Sequence, residues 1–284
     1  MQAIQNAFLA ATLVLQTCVS GVSAEEITAK DAVEQIRSFR GVISKKSGAV
    51  DGVHFLPAKT TAVTKVFGND EVDLLLALPK LARVSFYSTN VSDSGIAKLK
   101  GMKSLTHLNL TNVKITDDCC KDLAAIEHLR FLTLDGTKIT DVGIRELRAA
   151  EHLAELSMSD CGQINDASLA EISQINGLTS LFVDQTKISD EGLKELRNLK
   201  SLNALAVGGT SISDIGMTEI SELTGLTYLR LDGTKVSDVG LEKIVGLKKL
   251  EYMSVSRTKI TKIGIEKLKV AIPALEQVVG DVNR

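Results

Sequence analysis

The stretch "LRLDGTKVSDVGLEKI", residues 229–244, nearly duplicates "LTLDGTKITDVGIREL", residues 132–147. A chain that repeats itself at a fixed period is confined to architectures made by stacking one unit on the next. The units start at Leu81, Leu105, Leu129, Leu153, Leu178, Leu202, Leu226 and Leu250, 24 residues apart except for one interval of 25, whose extra residue falls in "SDCGQIND" (159–166).

Each unit reads L-x-x-L-x-L-x-x-T-x-I-T-D-x-G-I-x-x-L-x-x-L, and its two halves have different periods. Leu229 and Leu231 alternate with exposed neighbours, the period of a strand. Leu241, Ile244 and Leu247 recur every three residues, the stripe of a helix or tight helical turn. Neither element can hide its apolar side alone. The units must therefore stack, with the strands in a parallel sheet on one side and the helices on the other.

The recurring polar columns have mechanical readings. Asp93, Asp117, Asp141, Asp166, Asp190, Asp214 and Asp238 stand just before the helical stripe and read as N-caps; stacked carboxylates could also collect calcium. Thr89, Thr137, Thr186, Thr210, Thr234 and Thr258 follow the strand, where a hydroxyl can satisfy turn backbone groups. Gly95, Gly143, Gly192, Gly216, Gly240 and Gly264 sit near the helix start despite a cost of about 1 kcal/mol against alanine, which implies a close approach there. Cys119 and Ser168 occupy the same column as small residues.

On these residues the chain resembles the leucine-rich repeat family from about Leu81 to Ala271. The unit at 153–173, with Cys161 where others have threonine, is similar to the cysteine-containing subtype, and the rest to 24-residue versions common in exported bacterial proteins. The resemblance implies an α/β leucine-rich repeat solenoid, curved and right-handed, with a parallel sheet on the concave face and helices on the convex face. It further implies recognition, usually of protein, through the concave face, and no chemistry of its own.

The organisation expected is a signal peptide over 1–24, an N-terminal cap helix and degenerate first repeat over 25–80, eight repeats over 81–273, and a closing strand and tail over 274–284. "ITAKDAVEQIRSF" (27–39) supplies the helix, with Thr28 as cap and Val33, Ile36 and Phe39 as stripe. Val50, Val53 and Phe55 copy the strand pattern, and Leu275 and Val278 follow Pro273 as the closing strand. The first twenty-four residues carry no charged side chain, and the apolar run Ala7–Leu15 is far short of the roughly twenty residues that span a bilayer. With Val22 and Ala24 before a cut at Glu25, the segment reads as an export signal, so the protein is expected to be secreted or periplasmic and not stably inserted in a membrane. A lipid anchor at Cys18 and a retained segment, as in an intracellular adaptor, are the alternatives.

Thirty-three basic and 35 acidic residues, well mixed, leave a net charge of -2 and no footprint for nucleic acid. Enzyme signatures are scarce: no nucleophile elbow, phosphate loop or paired metal-ligand motif occurs. The enzyme alternative, hydrolytic or metal-dependent, rests on His128 and His152, which share a column in adjacent units. Too few ligands accompany them for zinc, so no metal, cofactor or catalytic residue is assigned. Binding is read instead from strand positions that point away from the core: Tyr87, His107, Phe131, Phe182, Tyr228, Arg230, Tyr252 and Arg257. Exposed aromatics and arginines of this kind are what interface hot spots are made of. Phe131 with Tyr87 and Phe182 would form one anchor region, and Tyr228, Tyr252 and Arg230 a second, separated by the bare strip Ala204, Ala206, Gly208 and Gly209.

Overall fold

The computed structural model describes residues 27–56, 66–87 and 89–281; the segment read as an export signal lies outside them. Among the described residues, eleven strands form a single sheet in chain order. The first two are β1 (Gly41–Lys46) and β2 (Ala49–Phe55). Nine three-residue strands follow: β3 (Arg83–Ser85), β4 (His107–Asn109), β5 (Phe131–Thr133), β6 (Glu155–Ser157), β7 (Ser180–Phe182), β8 (Ala204–Ala206), β9 (Tyr228–Arg230), β10 (Tyr252–Ser254) and β11 (Gln277–Val279). From β2 onward every pairing is parallel. Short α-helices and 3-10 turns return the chain along the other side, and the segment Gly192–Asn198 is 3-10 throughout.

The core is one continuous column. The central residue of each repeat strand, from Val84 through Leu108, Leu132 and Leu229 to Met253, is buried, as are the isoleucines and leucines of the helical side. A single cluster spanning all units is what stacking requires of segments that cannot fold alone.

The aspartate column does something other than cap. The capping oxygen belongs to the residue before it: Thr140 Oγ1 accepts from the Val142 N–H, Ser237 Oγ from the Val239 N–H, and Thr261 Oγ1 from the Gly264 N–H. The aspartate reaches instead to the next unit, where one carboxylate oxygen accepts the backbone N–H of that unit's capping residue and the other accepts its hydroxyl. Asp214 takes both from Ser237, at 2.7 and 2.6 Å. Asp93 does so with Thr116, Asp117 with Thr140, Asp166 with Ser189, Asp190 with Ser213 and Asp238 with Thr261. The column is a series of staples between units, opened at the N-terminal end by Asn69 on Ser92.

Five glycines of the column lie against the staples, whereas Cys119 occupies the same column with the Asp93–Thr116 staple in place. A Cβ on Gly240 would stand 2.6 Å from Asp214 Oδ1, and one on Gly143, Gly192, Gly216 or Gly264 would collide with the staple carboxylate of the unit before. At the 25-residue unit the aspartate column keeps Asp166, but the capping residue is Asn165 and the glycine is lost. Ser168 replaces glycine, and its hydroxyl accepts the Asn165 N–H at 3.2 Å in a capping box, the donor that a staple would otherwise satisfy. The threonine column behaves as read: Thr137 and Thr234 donate to Leu134 O and Leu231 O at 2.6 and 2.7 Å.

Both ends are covered. Helix α1 (Ala29–Ser38) starts at Thr28, which accepts the Asp31 N–H at 3.2 Å, and buries Ala32 and Ile36. β2 lies parallel to β3 as a degenerate first unit, but it also pairs antiparallel with β1, a strand not expected from the sequence. Ser47 and Gly48, at φ 52° and 81°, make the turn between them, the signature of a tight hairpin. Phe55, Phe67 and Phe86 pack beneath it, with ring centroids 4.2 to 6.2 Å apart. At the far end β11 closes the sheet over buried Leu275.

Candidate functional site

Because the strands pair in register, their outward residues form rows across the concave face. One row runs Arg83, His107, Phe131, Glu155, Ser180, Ala204, Tyr228, Tyr252; the next runs Ser85, Asn109, Thr133, Ser157, Phe182, Ala206, Arg230, Ser254. Two clusters stand on these rows, and their membership differs from the sequence expectation.

In the first, His107 stacks on Phe131 with centroids 4.1 Å apart and ring planes 13° from parallel. The Arg130 guanidinium lies 5.9 Å from the centroid of the same ring. Burial, and then the charges of Arg83 and Arg130, hold the His107 imidazole below the ordinary histidine range, so a neutral ring faces solvent at pH 7. Glu155, in register with Phe131, has its carboxyl pushed up by burial. Tyr87 is 39% exposed in the turn after β3, two strands from Phe131, and is not part of this cluster.

The second cluster gathers Phe182, Tyr228 and Tyr252. The tyrosine rings stack at 4.8 Å, 1° from parallel, and Phe182 meets Tyr228 edge-on at 6.3 Å. Phe182 therefore pairs with Tyr228 rather than Phe131. Ala204 and Ala206 do not separate the groups; they let the two rings meet across β8. Arg230 reaches over the same gap, with Nη1 3.2 Å from Asp184 Oδ2 and Nε 2.7 Å from Asp232 Oδ2.

The two carboxylates that hold Arg230 are themselves held. Asp184 accepts the Gly208 N–H at 2.6 Å, and a side chain at Gly208 would meet that oxygen at 2.7 Å. Burial is the largest influence on both acids. It pushes the Asp184 carboxyl up, against the pull of Arg230 and the Gly208 N–H. At Asp232 the hydrogen bonds from Arg230, Ser254 and the Ser256 N–H outweigh burial and hold the carboxyl below its usual range. Arg230 is a preorganised cation held between two carboxylates, with its side chain 43% exposed. Sequence reading found Arg230 without its clamp, because Asp184 and Asp232 lie in turns two units apart.

Arg257 is not on a strand. It sits at φ 57° in the turn after β10, where other units place Gly136, Gly209 and Gly233. The recurrent Asp-Gly pairs carried that signal, and alignment with Gly233 would have placed Arg257 in the turn.

The remaining candidates lie elsewhere. The rings of His128 and His152 are 6.1 Å apart at a solvent-facing edge, and among the described residues no group of three or more histidine, cysteine or acidic side chains is placed to hold a metal. Cys119, Cys120 and Cys161 are buried free thiols. The hydrogen bond with Cys120, then burial, push the Cys119 thiol far up, which suits packing rather than nucleophilic chemistry. No described helix is long and apolar enough to cross a membrane.

Comparison with known proteins agrees with the repeat fold. The leucine-rich repeat family matches at residues 223–245. No curated protein matches the chain. Among solved structures, internalin C2 of Listeria monocytogenes superposes with a TM-score of 0.54 at 20% identity, covering 79% of this chain and 88% of that one. The internalin inlF of the same organism gives 0.45 at 21%, covering 74% and 70%. At such identity the first likeness speaks for the fold alone.

Proposed function

Because the chain is a leucine-rich repeat solenoid, we propose that it is an exported, non-catalytic recognition module that binds a protein partner through its concave face. The observation that carries the reading is the second cluster. Phe182, Tyr228 and Tyr252 stand half-buried on the open side of the sheet, outside the core, around an arginine already fixed by two carboxylates. Rigid aromatics and a clamped arginine lose little conformational freedom on binding, which is the usual composition of interface anchors. Tyr87 and Arg257 belong to the rim, in turns beside the face. Eight repeat strands at about 4.8 Å give a face nearly 40 Å long, enough for about 800 Å² per partner once the turns contribute.

The test starts from the chain as it is secreted, whose N-terminus is expected at Glu25 by mass spectrometry. Its captured partner is identified and titrated against Tyr228→Ala and Phe131→Ala. Either change is expected to weaken binding by at least about ten-fold, as a hot-spot truncation does, with little change in melting temperature. Unchanged affinity in both variants removes the concave face from the account.

A further inference from the structure

At the N-terminal cap, away from the two rows, helix α1, the β1–β2 turn and the segment 78–80 enclose a cavity of about 480 Å³. Its floor is apolar: Val33 and Val50, only partly covered, and Leu78 line it. Its rim is basic, formed by Lys30, Arg37, Lys45 and Lys80. All four are exposed, and among the described residues no acidic one lines the cavity. Among the described residues none of these four side chains makes a hydrogen bond or ion pair; the nearby Asp31 is engaged by Thr28. In a protein whose charges are otherwise nearly balanced, four unneutralised cations around one hollow repel each other until an anion joins them.

We propose that this cavity binds a single-chain amphiphilic anion, with its tail on Val33, Val50 and Leu78 and its carboxylate or phosphate head among the four cations. The volume lies within the range of small-ligand sites, which combine an apolar lining with a few polar groups that fix orientation. Three segments, helix α1, the β1–β2 turn and residues 78–80, border the hollow, whereas a flat membrane surface would leave its floor unused.

Calorimetry on the chain as secreted tests the site, with decanoate and decyl phosphate as probes below their micelle concentrations. One molecule of each is expected to bind, with decanol and inorganic phosphate each weaker by roughly ten-fold or more, since each lacks half of the recognition. The exposed pair Arg37→Glu and Lys80→Glu should weaken decanoate by a similar factor at unchanged melting temperature. Decanol binding as well as decanoate, charge reversal without effect, or attachment to phosphatidylglycerol vesicles without binding of monomeric decanoate would each overturn the proposal. So would a carbodiimide cross-link from Glu25 or Glu26 to Lys30 or Lys80 that saturating decanoate does not suppress, because the chain's own acidic segment would then be the occupant.

Discussion

At the scale of single residues, one physical coupling explains two columns of the repeat. The staple aspartate must lie close to the next helix to reach the N–H and hydroxyl of its capping residue, and the following glycine leaves room for it. Gly264 shows this most simply, since the nearest atoms to a Cβ there all belong to Asp238. Asp238→Ala removes two charge-assisted hydrogen bonds to Thr261 and is expected to cost about 1.5–3 kcal/mol. Gly264→Ala alone should cost about 1–3 kcal/mol by overpacking. In the Asp238→Ala background the same glycine change should be neutral or favourable by up to about 1 kcal/mol, because only helix propensity remains. Denaturant unfolding of the four proteins measures the coupling, and strict additivity would refute it. The need for closeness at the glycines was legible in the sequence; the aspartate as its cause was not, because the two lie in different units and local spacing favours a cap. A second residue-scale expectation concerns His107. Its folded form resists protonation, whereas an unfolded histidine takes its proton near pH 6.5. The stability it contributes is therefore complete above that pH and is lost as pH falls through the lower folded value. An NMR titration of His107 should show a midpoint below 6.5, and a midpoint above it would contradict the stacked, cation-flanked geometry.

At the scale of elements, the cap and the repeats are stabilised differently. Repeat strands of three residues carry one central core residue each and depend on their neighbours. The cap concentrates aromatic bulk: Phe39, Phe55, Phe67 and Phe86 form a cluster, with Phe67 and Phe86 fully buried. Phe67→Ala should cost about 3–5 kcal/mol. It should also speed amide exchange in the cap before the later repeats, since opening there need not propagate through the array. Uniform acceleration along the chain would mean that cap and repeats unfold as one. The cap helix was readable because Thr28 and the 33, 36, 39 spacing obey helix rules; Ala32, which the helix also buries, was not read. The hairpin was missed because Val50, Val53 and Phe55 also fit a repeat strand, and the Ser47-Gly48 turn signal competed with that stronger pattern.

At the scale of the whole molecule, a fixed period and a parallel sheet turn a one-dimensional sequence pattern into a two-dimensional surface. The rows of outward residues could be written from the sequence, since in-register pairing follows from equal spacing; six of the eight proposed binding residues lie on the strands they were read from, and Tyr87 and Arg257 lie in the turns that follow β3 and β10. Which of them touch depended on intervening residues: Ala204 and Ala206 are small enough for Phe182 and Tyr228 to meet, and that joined Phe182 to the tyrosines. The account's central claim is that the open side of this surface meets a protein partner. Hydrogen exchange of the chain as secreted, with and without its captured partner, tests it most directly. Slowed exchange confined to β5–β10 and the turns that follow them is the predicted footprint, and protection of the convex helices with β7–β10 unchanged would contradict it.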